Sequence, residues 1–191
     1  GNLPVVFDRR VSTAFLSALC GAISGPAVAR GVSFLRDKMN KPVFAKGINI
    51  IDDPHRPWGF GSHPFDGEGI ETKRRNIIED GRLTTWFLNC ASARQLGLEP
   101  NGFAGRNLGG PPGAGPSNLH LEAGTQSRAD MIGAIDEGLL VTEMFGPSLN
   151  PNTGNWSVGV SGFRIARGKI DHPVSEITVA GDLNAIFARL I

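Results

Sequence analysis

The sequence predicts an α+β fold: largely antiparallel β-sheets with an N-terminal helical pair and a few further packed helices. Three observations carry this expectation. Helical periodicity is concentrated at the N-terminus and in a few short later runs. Strand-like segments follow one another with few helical crossovers, which favours antiparallel pairing. Asp80-Gly81 sits between two such segments, the strongest short-range hairpin signal in the chain. At 191 residues the chain suits one domain and is long enough to bury a substantial core.

In order along the chain, Ser12 is the expected N-cap of a helix to about Ile23, with Phe15, Leu19, Ala22 and Ile23 on its apolar side. "SGP" at 24–26 breaks it, and Pro26 suits the first turn of a second helix through Leu35 and Lys38. "KGINIIDDP" reads as a strand ending at Pro54. "HRPWGFGSHPFDGEG" then gives an irregular but ordered loop, punctuated by proline and glycine. The Asp80-Gly81 hairpin follows, then a short helix over 92–96. The Gly/Pro-rich stretch from Glu99 to Pro116 is longer than an ordinary connection. It lacks the Gly-Lys-Ser/Thr ending of a phosphate loop. The last third alternates: strand "NLHLEAG", helix "SRADMIGAIDEG", strand "LLVTEMF", loop "GPSLNPNTGN". Two strands joined near Gly168 come next, and a helix after Asp182 as its expected cap closes the chain.

Nineteen basic against eighteen acidic residues leave a formal charge of +1, so no bulk field draws the chain to nucleic acid or to an anionic membrane. "KRR" at 73–75 reads as a charged strand or hairpin edge that blocks unwanted pairing. Two cysteines, Cys20 and Cys90, are too few for a disulfide framework and read as buried thiols, which points to a reducing cytoplasm. No run of about 20 apolar residues marks a membrane span, and no charged-then-apolar leader opens the chain.

Four histidines are possible metal ligands. His55 and His63 share a loop with Asp66 and Glu68, a grouping of N and O donors whose spacing matches no familiar zinc motif. Their ordinary reading is as loop residues making hydrogen bonds. His120 alternates with leucines on a strand, and His172 precedes Pro173 at a strand entry. No serine sits in a nucleophile elbow and no histidine has an evident carboxylate to orient it. Residue types and spacing alone reach an α+β domain with an unusual loop.

The ordered segments "FLSALCGAISGPAVARGVSFL", "GINIIDDPHRPWGFGSHPFDGEGIETKRRNIIEDGRLTTWFLNCASARQLGL", "PSNLHLEAG", "GLLVTEMFG" and "NPNTGNWSVGVSGFRIARGKIDHPVSEITVAGDL" resemble the C-terminal domain of the TldD/PmbA family, once called modulators of DNA gyrase. The resemblance covers nearly the whole chain. "IDDPHRP", "FDGEG", "EDGRLTTW" and "HPVSEITVAG" look like the PmbA branch, also named TldE. It implies a two-subunit peptidase in which the TldD-type chain carries His-Glu-x-x-x-His on a helix, a zinc site completed by a distant cysteine. Set on that motif, this chain reads Ser17-Ala18-Leu19-Cys20-Gly21-Ala22. Ser17, Ala18 and Ala22 stand at the two histidines and the glutamate, and cannot ligate Zn²⁺ or take a proton from its water. Cys20 falls at a variable position and reads as a small hydrophobe.

The resemblance also implies that the domain is trimmed at both ends, without an N-terminal α/β domain. The expected function is that of a non-catalytic PmbA/TldE-like subunit without a cofactor of its own, paired with a TldD-like zinc peptidase subunit. The assembly acts on peptides or unfolded polypeptides, and in isolation the chain can form a homodimer. Two alternatives stay open: a peptidase active by itself around His55, His63, Asp66 and Glu68, or a peptide- or partner-binding module without proteolysis. The expected interaction residues are Trp58, Phe60, Phe65 and Phe103, aromatic anchors on the two irregular loops.

Overall fold

The computed structural model describes residues 2–191. In chain order the elements are β1 (Val5–Phe7), α1 (Arg9–Ala22), α2 (Gly25–Ala29), β2 (Ile50–Asp52), β3 (Arg75–Glu79), β4 (Arg82–Leu83), α3 (Cys90–Leu96), β5 (Ala104–Gly105), β6 (Gly113–Ala114), β7 (Leu119–Leu121), α4 (Arg128–Gly133), β8 (Glu137–Leu149), β9 (Asn155–Ala166), β10 (Lys169–Asp182) and α5 (Leu183–Phe187). The class is α+β with mostly antiparallel sheets, as expected. The elements fall into two units: the chain to Ser17 with Ala123–Asn150 and Asn155–Leu183, and Ala18–Glu122 with Pro151–Gly154 and Asn184–Ile191.

The first unit is built on a four-stranded sheet in the order β1-β8-β9-β10, with β1 parallel to β8 and the other pairs antiparallel. β9 alternates with period two, burying Trp156, Val158, Val160 and Gly162. Gly162 is required where it stands, because a Cβ there would collide with the Leu140 carbonyl oxygen of the neighbouring strand. Arg167 and Gly168 both take positive φ, the twist of a two-residue hairpin turn, and join β9 to β10. Phe7, Phe15 and Trp156 form an aromatic cluster with ring centroids 4.8 to 6.5 Å apart. β8 runs on through Gly146-Pro147, where a loop is expected from sequence, because a bulge between Phe145 and Ser148 absorbs the proline.

The start of α1 also differs from expectation. Asp8, not Ser12, sets it: the Asp8 carboxylate accepts the Arg10 N–H, and its carbonyl accepts those of Val11 and Ser12. With capping supplied there, Ser12 lies inside the helix and its hydroxyl donates to the Arg9 carbonyl. Nor is the helix buried all round. Phe15, Leu19 and Ala22 are buried, whereas Thr13, Ser17 and Gly21 are exposed.

The second unit carries the sheet β4-β3-β2-β7, antiparallel throughout. Ile50, Ile51, Ile77, Ile78 and Leu83 are buried on its strands, and Phe87 is buried nearby in the same unit. The hairpin falls at Asp80-Gly81 as expected, both at positive φ, with Glu79 opposite Arg82. Gly81 has a second reason to be glycine, since a Cβ would meet the Phe44 and Ala45 carbonyls at 2.6 Å. The expected second helix through Lys38 is cut to α2, because the chain turns at Gly31 with φ +72°. Ser33 then fixes the turn, donating to the Ala22 carbonyl and accepting the Leu35 N–H. α3 is started by a reciprocal cap between Asn89 and Ser92. Cys20 and Cys90 are half-buried rather than buried.

Candidate functional site

The loop that follows β2 is held open-faced by one side chain from β7's approach. Asn118 donates through Nδ2 to the Asp53 carbonyl and to Ser62 Oγ, while its Oδ1 accepts the Gly61 N–H. Ser62 Oγ in turn donates to the Arg56 carbonyl, and the His63 N–H reaches back to the Pro54 carbonyl. Gly59 and Gly61 permit this approach: a Cβ at Gly61 would collide with the Ser117 carbonyl oxygen. The backbone is therefore fixed while its aromatics point outward. Trp58 is 101% exposed and Phe60 111%, and Phe65 is 59% exposed.

Trp58 also has φ +58°. A side chain in the left-handed region costs roughly 1–2 kcal/mol, which glycine avoids. A tryptophan that is both strained and solvent-exposed contributes nothing to folding.

The expected companion, Phe103, behaves differently. It is 4% exposed and lies against Phe87 with ring centroids 4.7 Å apart, so it is core rather than an anchor. The long loop carrying it instead exposes Leu108 completely.

Asp66 fastens the far end of the aromatic loop. Its Oδ1 accepts the Glu68 and Ile70 N–H groups, and its Oδ2 accepts the Ala104 N–H on β5. Glu68 Oε2 accepts the Cys90 N–H at the start of α3. The hydrogen bond to Glu68, followed by burial, raises the Cys90 thiol pKa. His55 and His63 converge on Thr72. The Thr72 hydroxyl donates to the His63 carbonyl, so it accepts from His55 Nε2, whose lone pair is then absent. His63 Nδ1 faces the Gly61 carbonyl and is likewise the protonated nitrogen. The structure thus pairs Asp66 with Glu68 in one turn and His55 with His63 around Thr72, each fastening the loop. Among the described residues, no three His, Cys, Asp or Glu side chains form a group that could hold a metal.

On α1, Ser17 is exposed and donates to the Thr13 carbonyl, Ala18 is half-buried and Ala22 buried. A hydroxyl engaged with its own helix and two methyl groups do not fit a zinc ion, which needs thiolate, imidazole or carboxylate donors. Near the end of this helix the Cys20 thiol is pushed up to about 12, by burial and then by the charge of Asp52. Asp52 is itself buried, and burial raises its carboxyl pKa against the bonds from the Ser117 N–H and hydroxyl. Sequence reading found the aromatic loop but missed Asn118, whose partners lie 56 to 65 residues away.

Comparison with known proteins places these features in a family. The model of the PmbA/TldA metallopeptidase C-terminal domain matches residues 1–191, and the chain belongs to that family. It is 39% identical over 188 residues to metalloprotease PmbA of Escherichia coli O157:H7, covering 98% of this chain and 40% of that protein. Against the PmbA homolog of Buchnera aphidicola subsp. Acyrthosiphon pisum the identity is 36%, with the same coverage. A crystal structure of a candidate modulator of DNA gyrase from Bacteroides thetaiotaomicron superposes with TM-score 0.90 at 33% identity, over 100% of this chain and 41% of that one. TldE from Thermococcus kodakarensis superposes at 0.88 with 27% identity, over 98% of this chain and 43% of that one. The chain thus spans about two fifths of the length of the relatives it matches. Among the described residues no helix is long and apolar enough to cross a membrane.

Proposed function

We propose that this chain belongs to a PmbA/TldE-like subunit that holds no catalytic zinc and completes a peptidase with a TldD-like subunit that carries the metal. The assembly acts on peptides or unfolded polypeptides in the cytoplasm. The observation that carries this reading is Trp58, held at positive φ on a hydrogen-bonded loop and fully exposed beside Phe60. A rigid aromatic platform loses little entropy on docking, and aromatic anchors supply most of the energy of protein interfaces. Ser17, Ala18 and Ala22 support the non-catalytic half of the reading, because their chemistry offers neither a metal ligand nor a base.

Peptide hydrolysis measured for the intact protein alone, for a TldD-like chain alone and for their mixture tests the reading. Hydrolysis by the mixture that neither chain gives in full is the expected outcome. Full activity of this protein alone, abolished by a chelator, would sink it.

A further inference from the structure

Trp58 stands in a turn whose hydrogen bonds lead back to the sheet. The Gly59 N–H donates to the Arg56 carbonyl at 3.1 Å, so residues 56–59 close a turn with Pro57 second and Trp58 third. Positive φ at the third position after a proline is the pattern of a type II turn, which ordinarily takes glycine or asparagine there. Here the glycine is the fourth residue instead. A Cβ on Gly59 would meet Asn118 Oδ1 and Ser62 Oγ, both at 2.7 Å, so the Asn118 amide lies directly against the turn.

The same amide ties the turn to β2 and β7. Asn118 Nδ2 donates to Ser62 Oγ at 2.9 Å, and Ser62 Oγ donates at 2.7 Å to the Arg56 carbonyl, which already accepts from Gly59. Two bonds thus run from Asn118 to the atom that closes the Trp58 turn. The other end of the relay is fixed as well. Asn118 lies just before β7, and the residue preceding it, Ser117, gives its N–H and its hydroxyl to the buried Asp52 carboxylate on β2. A satisfied hydrogen-bond network with one end buried holds its other end rigid. Without that hold the turn would relax, because an aromatic side chain has no preference for the left-handed region.

We infer that Asn118 is a positioning residue for docking: it acts on association through the Trp58 turn, holding the indole in the geometry presented to a TldD-like subunit. This rests on the docking reading proposed above. A turn that is already ordered loses less conformational freedom on docking than one the partner must order.

The test is a double-mutant cycle on the intact protein, with Kd for a TldD-like chain measured by titration calorimetry. Trp58→Ala, Asn118→Ala and the double variant make up the cycle. Gly59→Ala repeats it by another route, pushing the amide off the turn while leaving Asn118 in place. Hydrogen exchange over residues 54–65, followed by mass spectrometry, reads the order of the loop in each variant. Asn118→Ala is expected to weaken association about tenfold and to speed exchange over the loop, and to have no further effect on Kd once Trp58 is alanine. Gly59→Ala should do the same. If Asn118→Ala does not fold, as judged by circular dichroism, Gly59→Ala carries the cycle with the same criteria. Three results overturn the positioning role and leave the docking reading standing: unchanged exchange over the loop, wild-type Kd where Trp58→Ala binds weakly, or an equal loss with and without Trp58. Wild-type Kd in Trp58→Ala overturns the docking reading, and this inference with it.

Discussion

Replacing Trp58 by alanine separates a folding role from a docking role. The side chain is 101% exposed, so its removal uncovers no core, and stability should change by no more than about 0.5 kcal/mol. Trp58→Gly should even stabilise, because glycine accepts φ +58° and recovers roughly 1 kcal/mol of backbone strain. At an interface the arithmetic reverses. Burying an indole removes about 200 Å² from water, a gross gain of about 5 kcal/mol at 25 cal/mol/Å². Truncation of such an anchor typically costs about 2 kcal/mol or more, which raises Kd about thirtyfold. The assay is titration calorimetry of the intact protein against a TldD-like chain, with hydrolysis by the mixture read in parallel, for Trp58→Ala and Phe60→Ala. Phe103→Ala is the contrast: its ring is buried on Phe87, so it should lose about 3–5 kcal/mol of folding stability. Wild-type Kd and wild-type hydrolysis in both loop variants would refute the docking argument.

Three further outcomes follow from the contacts of the second unit. Asp66→Ala strips an acceptor from three backbone N–H groups and should cost about 3 kcal/mol in urea unfolding; a loss below about 1 kcal/mol would show that the loop does not depend on it. Asp52 has its carboxyl pKa raised by burial above the ordinary 3.8, so between pH 3.8 and the folded value the folded chain holds a proton that the unfolded chain has released. Its contribution to stability is full below pH 3.8 and is lost as pH rises through the folded value; Asp52→Asn should flatten that stretch of the stability–pH curve, and an unchanged curve would contradict the assignment. The Cys20 thiol, pushed up to about 12, should react slowly with iodoacetamide at pH 8 in the native protein, and labelling of Cys20 as fast as in the urea-unfolded chain would contradict the raised pKa.

Features whose cause is local were legible in the sequence. Asp80-Gly81 makes its hairpin because the residues that need positive φ are adjacent, and α3 forms where alternation stops. The helix starts and stops were less so. Ser12 is a good capping residue by type, but Asp8 precedes it and takes the role, and Gly31 ends α2 before the apolar pattern through Leu35 runs out. The aromatic loop was recognisable from its composition, yet composition gave Trp58 and Phe103 the same role. What divides them is that Phe103 meets Phe87 while Trp58 meets nothing, a tertiary fact. Asn118 was invisible because it acts through partners far along the chain.

The exposure of Trp58 has an optical consequence. The chain has three tryptophans, and the other two, Trp86 and Trp156, are buried. Iodide or acrylamide added to the folded 191-residue chain therefore quenches one of its three indoles selectively, and the quenched fraction of that emission belongs to the loop. Any molecule that covers the loop should shift that fraction to shorter wavelength and shield it from the quencher. The protein carries its own reporter of occupancy at this surface, with no label to attach.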